Sequence, residues 1–477
     1  MKRRDFIKSS AAGAALYLGA APLRAENQPV NGLISPGCRR SKVKVARLYM
    51  GNPAGLWPKP KLDFQAEIAG YRAAFEKMAR EIEDVEFVTD ALITSPEQLE
   101  AHAGAIQSAD GVLLIHLSLG IRSILERIIE FDRPTVVFAV PYSGHEWVQF
   151  GALQRSTRMV SFLSSDLTRL AEALAPIRAL HHLREAVVLN LTSNFPEEYA
   201  AALESRFGVR IKPISLQRIM DAVREVSDRS ARAEAKRWMD EAVRVIEPDA
   251  DEIFRSCKLA LAFERVLQQE DATVMTVDCY GSMYGPLCVD YAFPCIGFAR
   301  LNNMGLGGIC ESDLRSAVTH ILFQGLCGRP GFISDPTVDE SNNTIILAHC
   351  LGTPKMDGPS GPAAPYSLRS IMERQQGAVT EVDMRIGQKV TQAILVDDDR
   401  ILYFTGDIVA VPKTDRGCRT KIAVSVDGGV RALWQNWSGG LHRVTCYGDL
   451  SLALKRFGRL AGVEVVDETE RSLDEAI

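Results

Sequence analysis

The chain has 477 residues, of which 46% are hydrophobic, and it carries a formal net charge of −5 with a pI near 6.0. A chain of this length can form two or three domains with cores of their own. It contains no run of Lys and Arg with interleaved aromatics, which excludes nucleic acid as an expected partner and favours a small neutral or polar substrate.

Residues 1–25 predict an export signal. Paired Arg3-Arg4 is followed by a short apolar stretch and by Leu23-Arg24-Ala25, which suits a small-residue cleavage site. This pattern resembles a twin-arginine (Tat) signal, and it implies export of the folded protein to the periplasm or another extracytoplasmic space. The alternatives are an ordinary Sec signal and an uncleaved anchor. The apolar stretch is shorter than the roughly 20 residues of a membrane span, so no stable span is expected after cleavage.

Residues 26–42 predict a linker, and residues 43–165 predict an N-terminal α/β domain. Strand-like runs such as VKVARLYM, GVLLIHL and TVVFAV alternate there with amphipathic helices, which is typical of a parallel, doubly wound sheet. The last of these strands leads into PYSGHEWVQF, where Tyr142, His145 and Trp147 follow its carboxyl end. Ligands bind at that edge of open α/β sheets, although an ordinary surface loop is the alternative.

Residues 166–355 predict a second doubly wound α/β domain. AVVLNL and ATVMTVDCYG are its clearest strands, and the stretch from Ala231 to Leu267 is strongly helical. A further helix is predicted from Leu314 to a stop at Gly328, with Ser312 as the N-cap. The glycines of MGLGG lack the pattern of a phosphate loop and indicate a tight turn before this helix.

Three candidate metal ligands lie around that helix. Glu311 comes just before its start, Asp335 follows the short strand Phe332-Ile333, and His349 lies near the end of the strand TIILAHC. Each residue also has a structural interpretation: a dipole contact for Glu311, a turn residue for Asp335 and a hydrogen-bonded core residue for His349.

Residues 356–477 predict a small C-terminal domain. A Gly- and Pro-rich stretch is followed by short strands with turns between them, which is typical of an antiparallel β domain, and His442 lies within it. The ten cysteines include no CxxC or CxxxxC pair, which argues against a structural zinc or iron-sulfur site and predicts mainly buried free thiols.

The segments GICESDLRSAVTH, FISDPTVD, ILAHCLGTP and WSGGLHRVTCYGD occur in this order. In this respect the chain resembles the L-fucose isomerase and L-arabinose isomerase superfamily, in layout over roughly residues 43–466. The resemblance implies Mn²⁺ or a similar divalent ion, with Glu311, Asp335 and His442 as ligands and His349 as a further ligand matching the arabinose branch. At Arg443 the chain departs from that branch, which often has a second histidine there. The resemblance therefore leaves the identity of the sugar substrate open.

The same resemblance implies a metal-dependent aldose-ketose isomerase. Glu311 and Asp335 would carry the proton between C1 and C2 of an open-chain sugar through an ene-diol. Tyr142, His145 and Trp147 would bind the sugar, and a homotrimer or homohexamer is implied, with each site completed by a neighbour's first domain. Two alternatives stay open: an exported, non-catalytic carbohydrate-binding protein on the same fold, and a metal-dependent carbohydrate hydrolase or lyase.

Overall fold

The computed structural model describes residues 41–470 of the chain. The predicted export signal, Cys38, most of the predicted linker and residues 471–477 lie outside this range. No helix within residues 41–470 is both long enough and apolar enough to span a membrane.

The elements of the described residues are numbered in chain order. The strands are β1 (Val43–Met50), β2 (Val85–Ile93), β3 (Gly111–His116), β4 (Thr135–Ala139), β5 (Met159–Leu163), β6 (Val187–Leu191), β7 (Arg210–Pro213), β8 (Arg244–Val245), β9 (Val274–Val277), β10 (Gly307–Cys310), β11 (Phe332–Asp339), β12 (Thr344–His349), β13 (Tyr366–Arg369), β14 (Val379–Val382), β15 (Lys389–Val396), β16 (Arg400–Ala410), β17 (Thr420–Val426), β18 (Arg443–Tyr447) and β19 (Glu464–Asp467). The α-helices are α1 (Phe64–Lys77), α2 (Ala103–Ser108), α3 (Arg122–Ile129), α4 (Trp147–Ser156), α5 (Leu170–Glu185), α6 (Glu197–Phe207), α7 (Leu216–Glu225), α8 (Asp228–Glu241), α9 (Ala250–Gln269), α10 (Cys295–Asn303), α11 (Leu314–Cys327), α12 (Val430–Asn436) and α13 (Ser451–Ala461). A 3₁₀ turn (Pro96–His102) precedes α2, and a π-helical turn (Tyr284–Val289) precedes α10.

The first sheet is parallel, with strand order β2-β1-β3-β4-β5. Every residue of β3 is buried, as its unbroken apolar run predicts for a strand covered on both faces. Helix α1 packs Ile68, Tyr71 and Phe75 against one face of the sheet. A second apolar cluster, which includes Leu99 and Ile124, covers the other face. The doubly wound prediction for this region is confirmed.

The second sheet is also parallel, with the order β10-β9-β6-β7. The stretch from Ala231 to Leu267, which was predicted to be strongly helical, forms two helices, α8 and α9, with the short strand β8 between them. Pro248 interrupts the run, and Asp249 starts α9 with a capping box to Glu252. Residues 41–470 all belong to one compact unit, and the domain boundaries at 165 and 355 stay predictions.

The third sheet contains the predicted antiparallel strands and closes on itself. Its order is β15-β18-β11-β12-β17-β16-β19, and a further pairing of β15 with β16 joins six antiparallel strands into a barrel. Closure of this kind leaves no unpaired edge among those six strands. Strands β11 and β12 therefore lie in the C-terminal barrel, whereas the sequence interpretation grouped them with the central parallel domain.

Candidate metal centre

Glu311 lies in a strained turn between the second sheet and helix α11. Gly308 of β10 allows close packing, because a Cβ there would lie 2.3 Å from the Cα of Phe298. Directly after β10 the chain turns sharply, with φ of +58° at Glu311 and +54° at Ser312. Neither residue is glycine, and left-handed backbone of this kind concentrates at functional sites.

The predicted N-cap at Ser312 is wrong by one residue. Asp313 has the extended backbone that an N-cap requires, and its carboxylate accepts a hydrogen bond from the Ser316 N–H at 3.1 Å. Ser312 cannot take that position in a left-handed conformation, and its hydroxyl donates to Asn190 Oδ1 instead. The predicted end of the helix is confirmed, since Gly328 has φ of +68° at the C-cap.

The strand register of the barrel brings the other candidate ligands together. Asp335 of β11 pairs with Ala348 of β12, so His349 is the next residue on that neighbouring strand. On the other side of β11, Ser334 pairs with Arg443, which places His442 beside Asp335. Asp335 and His349 thus lie on adjacent strands, His442 directly precedes β18 on the other side of β11, and Glu311 reaches them from the end of the parallel sheet.

His442 lies at the centre of these groups. Its Nε2 is 3.2 Å from Asp335 Oδ1 and 3.8 Å from Glu311 Oε2. The rings of His349 and His442 stack at 5.4 Å. The structure therefore brings together all four residues for which a metal-ligand role was predicted, and that role itself stays a prediction.

The polar atoms in this cluster lack partners in a way that suits a cation. His442 Nε2 and Asp335 Oδ1 face each other at 3.2 Å as an ion pair, but neither of these buried atoms, nor the buried His349 Nε2, makes a hydrogen bond within the described part of the chain. One ligand atom from each of these three residues lies within 4.8 Å of the others. Buried polar atoms without partners are costly, and carboxylate and imidazole ligands together accommodate a divalent ion. The residues present fit such an ion.

The charges in the cluster shift the pKa values of its members. Burial raises the pKa of Glu311, and the nearby Asp335, Asp313 and Asp278 raise it further, while His442 opposes them. Burial alone would also raise the pKa of Asp335, but the contact with His442 holds it below its ordinary value. Burial disfavours a charged His442, yet the carboxylates of Asp313 and Asp335 outweigh it and raise the pKa of His442 to about 10. Without metal, His442 is therefore the cation of the site.

The two histidines face the cluster with different atoms available. Asp313 Oδ2 lies 3.2 Å from His442 Nδ1, so Nδ1 keeps its proton and Nε2 is free to bind a metal once deprotonated. The Cys350 N–H donates to His349 Nδ1 at 2.9 Å. Burial lowers the pKa of His349 to about 4, so the ring is neutral and its proton lies on Nε2. His442 fits the role of a ligand better than His349, which offers a hydrogen-bond donor.

Two residues that support His442 were missed from the sequence. Asp313 orients the ring as described, and its position two residues after Glu311 at a helix start was the available signal. Arg443 is fully buried and pairs with Glu468 at 3.0 Å. Its guanidinium also donates to the Ser438 carbonyl and stacks on Trp437 at 4.1 Å. Arg443 thereby anchors the glycine turn before His442.

A cavity of about 310 Å³ adjoins the cluster at His442 and Asp313. Tyr199, Arg315 and the glycine turn at Gly439 and Gly440 form much of its remaining wall. Arg315 is held there by a hydrogen bond from its guanidinium to the Gly439 carbonyl at 2.8 Å. The cavity gives a small polar molecule space beside the candidate ligands.

The predicted sugar-binding residues lie at the carboxyl edge of the first sheet. Trp147 lines a separate cavity of about 320 Å³, and His145 packs against Trp57 with ring centres 4.7 Å apart. Tyr142 is 75% exposed and does not line that cavity. The two cavities share no lining residue. The structure does not join these aromatics to the Glu311 cluster within one chain, and their binding role stays a prediction.

At the same edge His116 was missed, and it contacts Glu146 of the segment PYSGHEWVQF. His116 ends strand β3, and its ring contacts Ser143 Oγ at 2.9 Å and Glu146 Oε2 at 3.0 Å. The other carboxylate oxygen of Glu146 accepts from the Gly120 N–H. This contact network, with burial opposing it, lowers the pKa of Glu146 to about 2. The His at the end of a buried strand was the sequence signal for this network.

Comparison with known proteins gives a distant relative. No protein-family model matches the chain. A curated protein named sulfoquinovose isomerase, from Clostridium sp. (strain MSTE9), is 23% identical over 297 residues. The alignment covers 57% of this chain and 61% of that protein, so the chain spans less than two thirds of its length. The chain is therefore similar, at low identity, to an enzyme named as a sugar isomerase.

Proposed function

We propose that this protein is a metal-dependent aldose-ketose isomerase. The observation that carries the proposal is the meeting of Glu311, Asp335 and His442, in which His442 Nε2 lies 3.2 Å from Asp335 Oδ1 and 3.8 Å from Glu311 Oε2. The similarity to a sulfoquinovose isomerase supports the same reaction class. The sugar can be of the L-fucose or L-arabinose type or a sulfonated hexose, and the experiment below separates these substrates.

Glu311, Asp335 and His442 would hold the metal, and an oxygen-rich set with one imidazole suits Mn²⁺. A bound divalent cation would supply the positive charge that stabilises negative charge developing on the sugar oxygens. Glu311 and Asp335 would take a proton from one sugar carbon and return it to the next. Asp313 keeps His442 turned toward both acids, through the 3.2 Å contact at Nδ1.

Substrate binding and assembly are part of the proposal. We place the sugar against the exposed ring of Trp147, with His145 and Tyr142 beside it, in a homotrimer or homohexamer. Exposed apolar side chains at the same edge support an interface there: Leu56, Leu119, Val148 and Leu163. Light scattering on the purified protein tests the assembly, and a monomer under assay conditions would rule it out.

The decisive assay is NMR on the Mn²⁺-loaded protein with L-fucose, D-arabinose, L-arabinose and sulfoquinovose offered separately. Conversion of one of them to its ketose is expected, and Glu311→Gln is expected to abolish it. Glu340→Gln, which removes an exposed carboxylate just beyond β11, is the matched control and should retain activity. Tight sugar binding without a ketose would favour the carbohydrate-binding protein. Fragments released from an oligosaccharide, with monosaccharides unchanged, would favour the hydrolase or lyase.

Metal content gives an independent test of the same cluster. The protein purified with Mn²⁺ should retain the ion after desalting, and Glu311→Gln should lose it while Glu340→Gln keeps it. Equal metal content in all three proteins would remove Glu311 from the site.

We also propose that residues 1–25 direct export through the Tat route. Replacing Arg3 and Arg4 by lysine in a full-length chain should leave the protein in the cytoplasm, as cell fractionation would show. Unchanged export of this variant would favour the Sec route.

A further inference from the structure

We propose that Cys350, Cys418 and Glu373 form a second metal site, which takes a thiophilic divalent cation such as Zn²⁺. One ligand atom from each residue lies within 4.8 Å of the other two. The sulfur of Cys418 is 3.7 Å from Glu373 Oε1. The sequence contains no CxxC pair that would indicate this site, since its ligands are far apart in the chain and meet only in the folded protein.

Three separate segments deliver the ligands to one place. Cys350 directly follows β12, and Cys418 comes two residues before β17. These strands are antiparallel neighbours with His349 opposite Thr420, so both cysteines lie at the same end of the pair. Glu373 comes from the turn after β13, which is closed by a hydrogen bond from the Gln375 N–H to the Ile371 carbonyl at 2.7 Å.

The spacing and exposure suit a zinc ion with one open position. Tetrahedral zinc with its usual bond lengths to sulfur and oxygen separates those ligand atoms by roughly 3.5 Å, close to the 3.7 Å between Cys418 and Glu373. Cys350 is 4% exposed, Cys418 is half-buried and Glu373 is exposed. A cation can therefore enter from solvent, and water can complete its coordination.

The surroundings stabilise the charge of such a site. Two thiolates and a carboxylate around a divalent ion leave one net negative charge. Lys421 is only 4% exposed and lies near enough to both sulfurs to interact with them. The backbone N–H groups of Met372 and Arg419 also face the Cys350 sulfur. Donors of this kind hold metal-bound thiolates in place.

The two sites differ in chemistry and share no ligand. Glu311, Asp335 and His442 form a hard oxygen and nitrogen set, whereas the two sulfurs select soft cations. They are adjacent, because the Cys350 N–H donates to His349 Nδ1. The second site does not depend on the proposed isomerase activity.

Cobalt spectroscopy on the full chain tests the proposal. The protein is reduced, stripped with a chelator and titrated with Co²⁺, which gives thiolate charge-transfer absorption in the near ultraviolet only when sulfur binds. One thiolate-bound Co²⁺ per chain is expected, and excess Zn²⁺ should displace it. Cys418→Ser should abolish the absorption, and Glu373→Gln, at an exposed position, should weaken Co²⁺ binding at least tenfold. Cys257→Ser, at a buried cysteine outside this cluster, is the matched control and should retain the band.

Three results would overturn the proposal. The first is the absence of thiolate absorption in the reduced wild-type protein. This includes the case in which Cys350 and Cys418 are first found as a disulfide and bind no Co²⁺ after that disulfide has been reduced. The second is a band that survives in folded Cys418→Ser, as judged by circular dichroism. The third is a band that Cys310→Ser removes, because Cys310 adjoins Glu311 and would assign the sulfur to the first site. Glu311→Gln should keep the band, so loss of the isomerase and loss of this site are distinguishable.

Discussion

Metal binding at the Glu311 cluster is expected to displace a proton from His442. In the metal-free protein the neighbouring carboxylates, working against burial, raise the pKa of His442 to about 10. At about pH 7 the ring is thus protonated, and a cation must replace the proton at Nε2. Because pH 7 lies about three units below this pKa, proton competition weakens the apparent affinity for the metal by about a thousandfold relative to a site with a neutral His442 ring.

The expected pH dependence follows from that competition. Between about pH 7 and pH 8.5 the apparent affinity should rise about tenfold per pH unit, since each bound ion releases one proton. Calorimetric titration with Mn²⁺ in two buffers of different ionisation enthalpy measures the protons released. Working above pH 7 limits any contribution from Glu311, whose pKa is also raised.

Asp313→Asn is the informative variant for this prediction. It keeps a polar side chain next to Nδ1 but removes the charge 3.2 Å away, so the pKa of His442 should fall and fewer protons should be released at about pH 8. Mn²⁺ affinity that does not change with pH, or no proton release by the wild-type protein, would refute this reasoning.

The same shift predicts how the metal-free protein responds to pH. The pKa of His442 in the folded protein lies above its ordinary value of 6.5, so the stabilisation from its charge is complete below that pH. It is lost as the pH rises toward about 10. Urea unfolding after chelation should show the free energy of unfolding falling across this interval, and Asp313→Asn should show a smaller decrease.

Two further predictions concern packing around the site. Arg443→Met leaves Glu468 buried without its partner and should lower the free energy of unfolding by about 3 to 5 kcal/mol, measured by urea denaturation; a loss below about 1 kcal/mol would contradict a structural role for the pair. Gly308→Ala places a Cβ against Phe298 and should cost about 1 to 3 kcal/mol, with a lower thermal midpoint. Gly285→Ala is its control, because nothing lies within 4 Å of the added carbon, and equal effects of the two substitutions would refute the packing argument.

Much of the fold could be predicted from local patterns. Long apolar runs identified the strands of the first parallel sheet, because a strand that is buried on both faces is apolar throughout. Helical periodicity identified α11, because a helix packed on one side repeats its apolar residues every three or four positions. The predictions of helix boundaries were less accurate, because a single proline or an unusual backbone conformation can override the helical pattern around it. The helical stretch from Ala231 to Leu267 is interrupted by β8 and Pro248, and the left-handed backbone at Ser312 moved the cap of α11 to Asp313.

The candidate site was named from the order of short motifs rather than from any single residue. Glu311, Asp335 and His442 each have an ordinary structural interpretation when taken alone, and only the resemblance grouped them. Asp313 was missed, since its contact with His442 joins residues 129 positions apart. No sequence window could show that contact.

By itself the sequence determined the elements, their alternation and the residue types available for chemistry, because secondary structure depends on neighbours within a few positions. Only the tertiary structure decided that β11 and β12 belong to the closed barrel and that its register sets His442 beside Asp335. It alone also brought Cys350 and Cys418 to one end of a strand pair. The physical reason is that strand pairing and ligand geometry join groups far apart in the chain, and their energies depend on distances that exist only in the folded molecule.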